Sequence, residues 1–127
     1  MSGKKIILTD RAPQPIGPYS QAVQAGGFLF CSGQIPLDPQ SGQLAATDVE
    51  GQTRQVMKNI QAVLEKAGYG WESNVKTTIF LKSMNDFPKV NEIYGGYFKS
   101  NPPARSTVEV ARLPKDVLVE IEVMAFA

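Results

Sequence analysis

The sequence predicts an α+β chain in which one β-sheet carries two helices on one of its faces. Three observations point there. Val49, Thr53, Val56, Met57, Ile60, Val63, Leu64 and Ala67 recur at spacings of three and four, which aligns them along one helical face. Phe87, Val90, Tyr94, Tyr97 and Phe98 repeat that spacing and predict a second helix over residues 85–98. Short runs rich in β-branched residues, 74–82, 106–113 and 117–127, read as strands. By length the chain is a single domain, 1–127, able to bury roughly two-thirds of its unfolded surface.

The elements follow in order. Residues 5–8, KIIL, suggest a short strand, and RAPQPIGP with its three prolines must be an irregular loop. YSQAVQAGGFLFCSG reads as two strands turning at Gly26-Gly27, a dipeptide suited to a tight hairpin. QIPLDPQSGQL is a second loop. Thr47 or Asp48 can cap the first helix, and Gly68 suits its end. NVKTTIFLK then forms a strand. After the second helix come STVEVARL and VLVEIEVMAFA, separated by the turn PKD.

Two helices cover one side of such a sheet. In the last strand Val119, Ile121, Val123 and Ala125 share the covered face, while Glu120 and Glu122 point the other way beside Leu118, Met124 and Phe126. That second face is too apolar to leave in water. It predicts packing against another copy of the chain.

Composition narrows the functions. With 13 Lys and Arg against 12 Asp and Glu, the net charge of +1 provides no field for steering nucleic acid, and no basic stripe or RNA-binding aromatic motif appears. No run approaches 18 apolar residues, and the N-terminal apolar run is too short for a signal-peptide core. The lone Cys31 excludes an internal disulfide framework. The expected location is cytoplasmic. The absence of histidine rules out a histidine-dependent triad and the usual zinc sites. Chemistry must use carboxylates, Arg, Lys, Tyr, hydroxyls, backbone groups or one thiol.

Individual residues leave two readings each. Arg105, after the stiff NPP segment, is either a fork for a small carboxylate or an ordinary ion-pairing arginine. Glu120 is either a general base with its pKa raised by desolvation or an interface carboxylate, and the second reading suits Glu122 better. Tyr19 either walls a pocket or simply packs. Ser32-Gly33 either presents a hydroxyl and close backbone or merely ends a strand. Cys31 reads as a buried, inert mid-strand thiol. No phosphate loop or metal-ligand cluster is present.

Two blocks carry a resemblance. APQPIGPYSQAV leading to FCSGQIPLDPQSGQL, and PPARSTVEVARLPKDVLVEIEVMAFA, closely resemble the YjgF/YER057c family and its reactive intermediate deaminase A (RidA) branch. VKTTIFLKSMNDFPKVNEIYGGYF between them matches as well, so the likeness spans nearly the whole chain. It implies a chorismate-mutase-like α+β protomer, a mixed β-sheet with two helices on one face, assembled as a homotrimer with clefts between subunits. It also implies a cofactor-free enzyme that hydrolyses enamines and imines such as 2-aminoacrylate, 2-iminopropanoate and 2-iminobutanoate to 2-keto acids and ammonia.

By the same resemblance, Arg105 binds the substrate carboxylate, Glu120 positions or activates water, and Tyr19 lines the pocket. Ser32, Gly33 and Asn91 match further cleft positions. Thr107 departs from the pattern, because many deaminase members carry cysteine there; its backbone N–H can still meet a carboxylate. Some family members are described as endoribonucleases or translation inhibitors, a reading that near-neutral charge disfavours. Others are non-catalytic ligand-binding or chaperone-like proteins, for which a disabled Glu120 position would be the sign. Expected partners are therefore a small imine or enamine and further copies of the chain, with neither membrane nor nucleic acid.

Overall fold

The computed structural model describes residues 3–127. Six strands and two helices alternate along the chain: β1 (Lys4–Ile7), β2 (Ala22–Ala25), β3 (Phe28–Cys31), α1 (Val49–Ala67), β4 (Asn74–Leu81), α2 (Phe87–Gly95), β5 (Ala104–Glu109) and β6 (Val119–Phe126). They form one mixed sheet in the order β1-β2-β3-β6-β4-β5. All neighbours are antiparallel except β4 and β5. A parallel pair needs a crossover, and α2 supplies it.

Side-chain parity divides the sheet into two faces. Leu29, Ile79, Leu81, Ile121, Val123 and Ala125 pack under the helices with Val56, Met57, Ile60 and Val63 of α1. The opposite face carries Ile6, Phe28, Phe30, Val108, Met124 and Phe126, and no element among the described residues packs over it. Phe30 is 43% exposed and Phe126 50%. Phe28 stacks on Phe30 at 5.8 Å and meets Phe126 edge-on at 4.8 Å, so these rings form one patch.

The caps of α1 are those the sequence suggests. Asp48 accepts a hydrogen bond from the Gly51 amide, and Gly68 ends the helix at φ 83°, where a side chain would be strained. The apolar stripe omits two buried amides on this helix. Gln52 accepts from the Leu118 amide and donates to the Ala46 carbonyl, while Asn59 donates to the carbonyls of Ile35 and Leu37. Both tie loops to the helix instead of facing water.

Three expectations need correction. The second helix spans Phe87–Gly95, not 85–98, because a 3₁₀ turn at Met84–Asp86, with Ser83 accepting from the Asn85 amide, precedes it, and Gly95-Gly96 closes it. Strand β5 runs Ala104–Glu109, not 106–113: pairing with β4 begins as soon as the prolines end, and Val110 makes the last ladder bond to Leu81. Cys31 is the last residue of β3, paired with Ala22, not a mid-strand position, and is half-buried against the core. Among the described residues no helix is long and apolar enough to cross a membrane.

Candidate functional site

Glu120 projects from β6 onto the uncovered face, next to a break in the sheet. Phe30 pairs with Met124 and Gln34 bridges Ile121, so four steps along one chain match three along the other. The extra residue makes Ser32-Gly33 a bulge, a device that re-aims backbone and side chains. The bulge brings Gly33 under the Glu120 carboxylate: a Cβ at Gly33 would collide with Glu120 Oε2. Only glycine leaves that space.

The wall opposite is the proline loop. Gln21, fully buried, holds it by accepting from the Thr9 amide at 2.7 Å and donating to the Thr9 and Pro13 carbonyls at 3.0 Å. Ser32 Oγ donates to the Ser20 carbonyl at 2.6 Å, which ties the bulge to the loop before β2. Between these walls lies a cavity of about 490 Å³, lined in part by Pro13, Ile16, Tyr19, Ser32, Lys115 and Glu120. Its lining is largely apolar, and Glu120 is its acid.

No donor among the described residues bonds the Glu120 carboxylate. Burial therefore pushes its pKa above the ordinary glutamate value, and the neighbouring charge of Glu122 adds to the rise. A half-buried, unpaired carboxylate with a raised pKa, set in an apolar cavity, is suited to accept and return a proton. On the far side of the bulge, burial pushes the Cys31 thiol up to about 12. It is not a nucleophile at neutral pH.

Arg105 lies elsewhere. Phe80 of β4 pairs with Glu120 on one side, whereas Thr77 pairs with Arg105 on the other. Positions 77 and 80 have opposite parity, so Arg105 and Glu120 point to opposite faces of the sheet. Two strand spacings and three residues also separate them, on the order of 14 Å. Arg105 extends from edge strand β5 over α2, where Nη1 donates to Asn91 Oδ1 at 2.7 Å. Its guanidinium carbon stands 5.2 Å from the centre of the Phe87 ring and 5.1 Å from that of Tyr94. Thr107 shares this face, and its buried Oγ1 finds no hydrogen-bond partner among the described residues.

The residues singled out in the sequence thus form two groups. Tyr19, Ser32, Gly33 and Glu120 meet in the cavity; Arg105, Asn91 and Thr107 meet at the sheet edge. Sequence reasoning missed Lys115, whose backbone stands at φ 54° with Asp116 at φ 55°. Such left-handed conformations are uncommon for residues other than glycine, asparagine and aspartate, so a lysine gives no local signal for one. The turn is pinned by Lys82 Nζ, 3.0 Å from Asp116 Oδ1. Phe87 and Tyr94 were legible only as inward aromatics. Among the described residues no three metal-ligating side chains cluster.

Comparison with known proteins agrees with this architecture. The family model described as Endoribonuclease L-PSP matches residues 9–127. The chain belongs to the YjgF/YER057c family. Its relatives include a RutC family protein of Pyrococcus horikoshii, 57% identical over 97% of this chain and 98% of that one. A RutC family protein of Synechocystis is 61% identical over 95% of both chains. Among solved structures, the Rid family protein YyfA of Yersinia pestis is 55% identical with a TM-score of 0.95, covering 98% of this chain and 99% of its own. Escherichia coli TdcF, solved with bound serine, is 46% identical with a TM-score of 0.92 over 97% and 98% of the two chains. These solved structures thus share the overall fold of this chain.

Proposed function

We propose that this protein hydrolyses 2-imino acids, such as 2-iminopropanoate and 2-iminobutanoate, to 2-keto acids and ammonia, in clefts between the subunits of a homotrimer. The observation that carries the reading is the separation of its two charged groups. One protomer holds, in a cavity, an acid that no donor among the described residues bonds and, on the other sheet face, a preset guanidinium at an open edge. A second copy packed on the uncovered face unites them. The aromatic patch of Phe28, Phe30 and Phe126 gives the packing its driving force.

In that cleft Arg105 of one subunit binds the imino acid carboxylate, and the Glu120 cavity of its neighbour takes the C=N group and a water. Water oxygen bonds to the imine carbon while Glu120 accepts its proton, and the C=N π pair moves to nitrogen, which takes that proton from Glu120 and leaves the carboxylate free again. The resulting carbinolamine then loses its hydroxyl proton to Glu120. Its C–N bond breaks, and ammonia leaves with a returned proton. The balance is one water consumed, with no redox change. An imine is already electrophilic, so orientation and proton relay suffice. The amino acid bound in TdcF carries the α-carboxylate such a site would read.

The test generates imines in place, with an amino acid oxidase or a serine dehydratase, and follows their capture by semicarbazide. Added protein should shorten imine lifetime in proportion to its concentration. Unchanged lifetimes across alanine-, leucine- and methionine-derived imines would refute the reading. The family description also names an endoribonuclease, and incubation of the same preparation with single-stranded RNA tests that activity in parallel.

A further inference from the structure

We propose that Phe87 and Tyr94 form an aromatic clamp that fixes the plane of the Arg105 guanidinium, with Asn91 holding Arg105 and not the ligand. The two rings stand at near-equal distances, 5.2 and 5.1 Å, from the guanidinium carbon. They sit seven residues apart on α2, two helical turns, and so present themselves on one face with Asn91 between them. Asn91 Oδ1 accepts a hydrogen bond from Nη1, which commits one corner of the fork. Tyr94 is itself fixed: its hydroxyl shares a 2.6 Å hydrogen bond with Thr77 Oγ1 in the core. Thr77 is the register partner of Arg105 on β4, so strand, helix and guanidinium are tied in one circuit.

Arginine loses considerable side-chain freedom when it binds a carboxylate from an exposed, mobile state. Here that freedom is already restricted before the ligand arrives. Rings attract a planar cation through their faces, and the remaining nitrogens stay open at the sheet edge for a bidentate partner. Phe87 and Tyr94 are therefore positioning residues for Arg105. The inference rests on the deaminase reading only for the identity of the carboxylate.

Two measurements test it. The first needs no ligand: nitrogen-15 NMR of the guanidinium should show separate, slowly exchanging Arg105 Nη–H signals with ring-current shifts. Phe87→Leu and Asn91→Ala should merge them, while Phe87→Tyr should retain them. Freely rotating Arg105 signals in the unmodified protein would overturn the clamp. The second is calorimetric titration with 2-oxobutanoate. Phe87→Leu and Tyr94→Leu should weaken binding about 5- to 20-fold, the range of one cation–π contact. Tyr94→Phe, which keeps the ring, should remain within about 2-fold. Wild-type affinity in Phe87→Leu overturns the proposal. Rigid Arg105 signals without any 2-oxobutanoate binding would instead retain the clamp and count against the deaminase reading.

Discussion

Gly33 lies directly beneath the carboxylate of Glu120, so that any β-carbon at that position would overlap Oε2. The contact couples a backbone bulge to the one acid of the cavity. Gly33 has no positive φ, so an alanine there meets no backbone strain, only the carboxylate. Gly33→Ala should therefore fold and melt within a few degrees of the parent. It should nonetheless lose about 10²-fold in turnover, the usual cost of misplacing a reacting group by an ångström. Equal turnover by the imine-trapping assay would show that the carboxylate need not sit there.

Glu120 makes a pH signature of its own. Its pKa is raised by burial first and by Glu122 second. A carboxyl with a folded-state pKa above its unfolded value stabilises the protein at low pH. That contribution is lost as pH rises through the folded value. Glu120→Gln should thus melt higher than the parent near pH 7 and converge with it as pH falls into the ordinary glutamate range. Turnover should fall roughly 10²- to 10⁴-fold, because glutamine cannot accept a proton. Glu122→Gln should keep activity and shift the acid limb of the rate profile to lower pH, since a charge opposing Glu120 ionisation is gone. Identical profiles for the parent and Glu122→Gln would remove that coupling.

Cys31 offers a negative control. Burial pushes its thiol up to about 12, and the chain holds no second thiol, since position 107 is a threonine. A small maleimide at neutral pH should leave native protein unlabelled by intact mass and fully active, with one adduct formed in denaturant. Rapid native labelling with loss of turnover would place Cys31 in the site.

Much of this fold is legible locally. The α1 stripe, Asp48, Gly68, the Gly26-Gly27 hairpin and the alternation of β6 all follow from short-range rules, since each depends on residues a few positions apart. Strand order does not: β6, last in sequence, inserts between β3 and β4 through contacts spanning half the chain. Gln52 and Asn59 escaped the hydrophobic pattern because their burial is compensated by loop carbonyls that no periodicity reveals. Glu120 was recognisable as an acid among apolar neighbours. That Arg105 points to the other face was not, because it follows from the β4 register, where Thr77 and Phe80 differ in parity.

That opposition of Arg105 and Glu120 leads to the most decisive experiment. If the site lay within one protomer, a subunit lacking either residue would be inactive whatever it was mixed with. If it lies between subunits, each cleft takes Arg105 from one copy and Glu120 from the next. Light scattering should first give about three times the protomer mass of 13.8 kDa, and Phe30→Glu, which places a charge in the aromatic patch, should lower it. Arg105→Ala and Glu120→Gln should each be nearly inactive as pure proteins. Co-refolded in equal amounts, they exchange subunits at random, and about one cleft in four then joins an intact Arg105 to an intact Glu120. Activity should accordingly recover to about a quarter of the parent, and no recovery should follow when Phe30→Glu is added to both variants. Failure of the refolded mixture to regain turnover, with the trimer mass intact, would return both residues to a single protomer. It would also contradict the opposite-face register seen across β4.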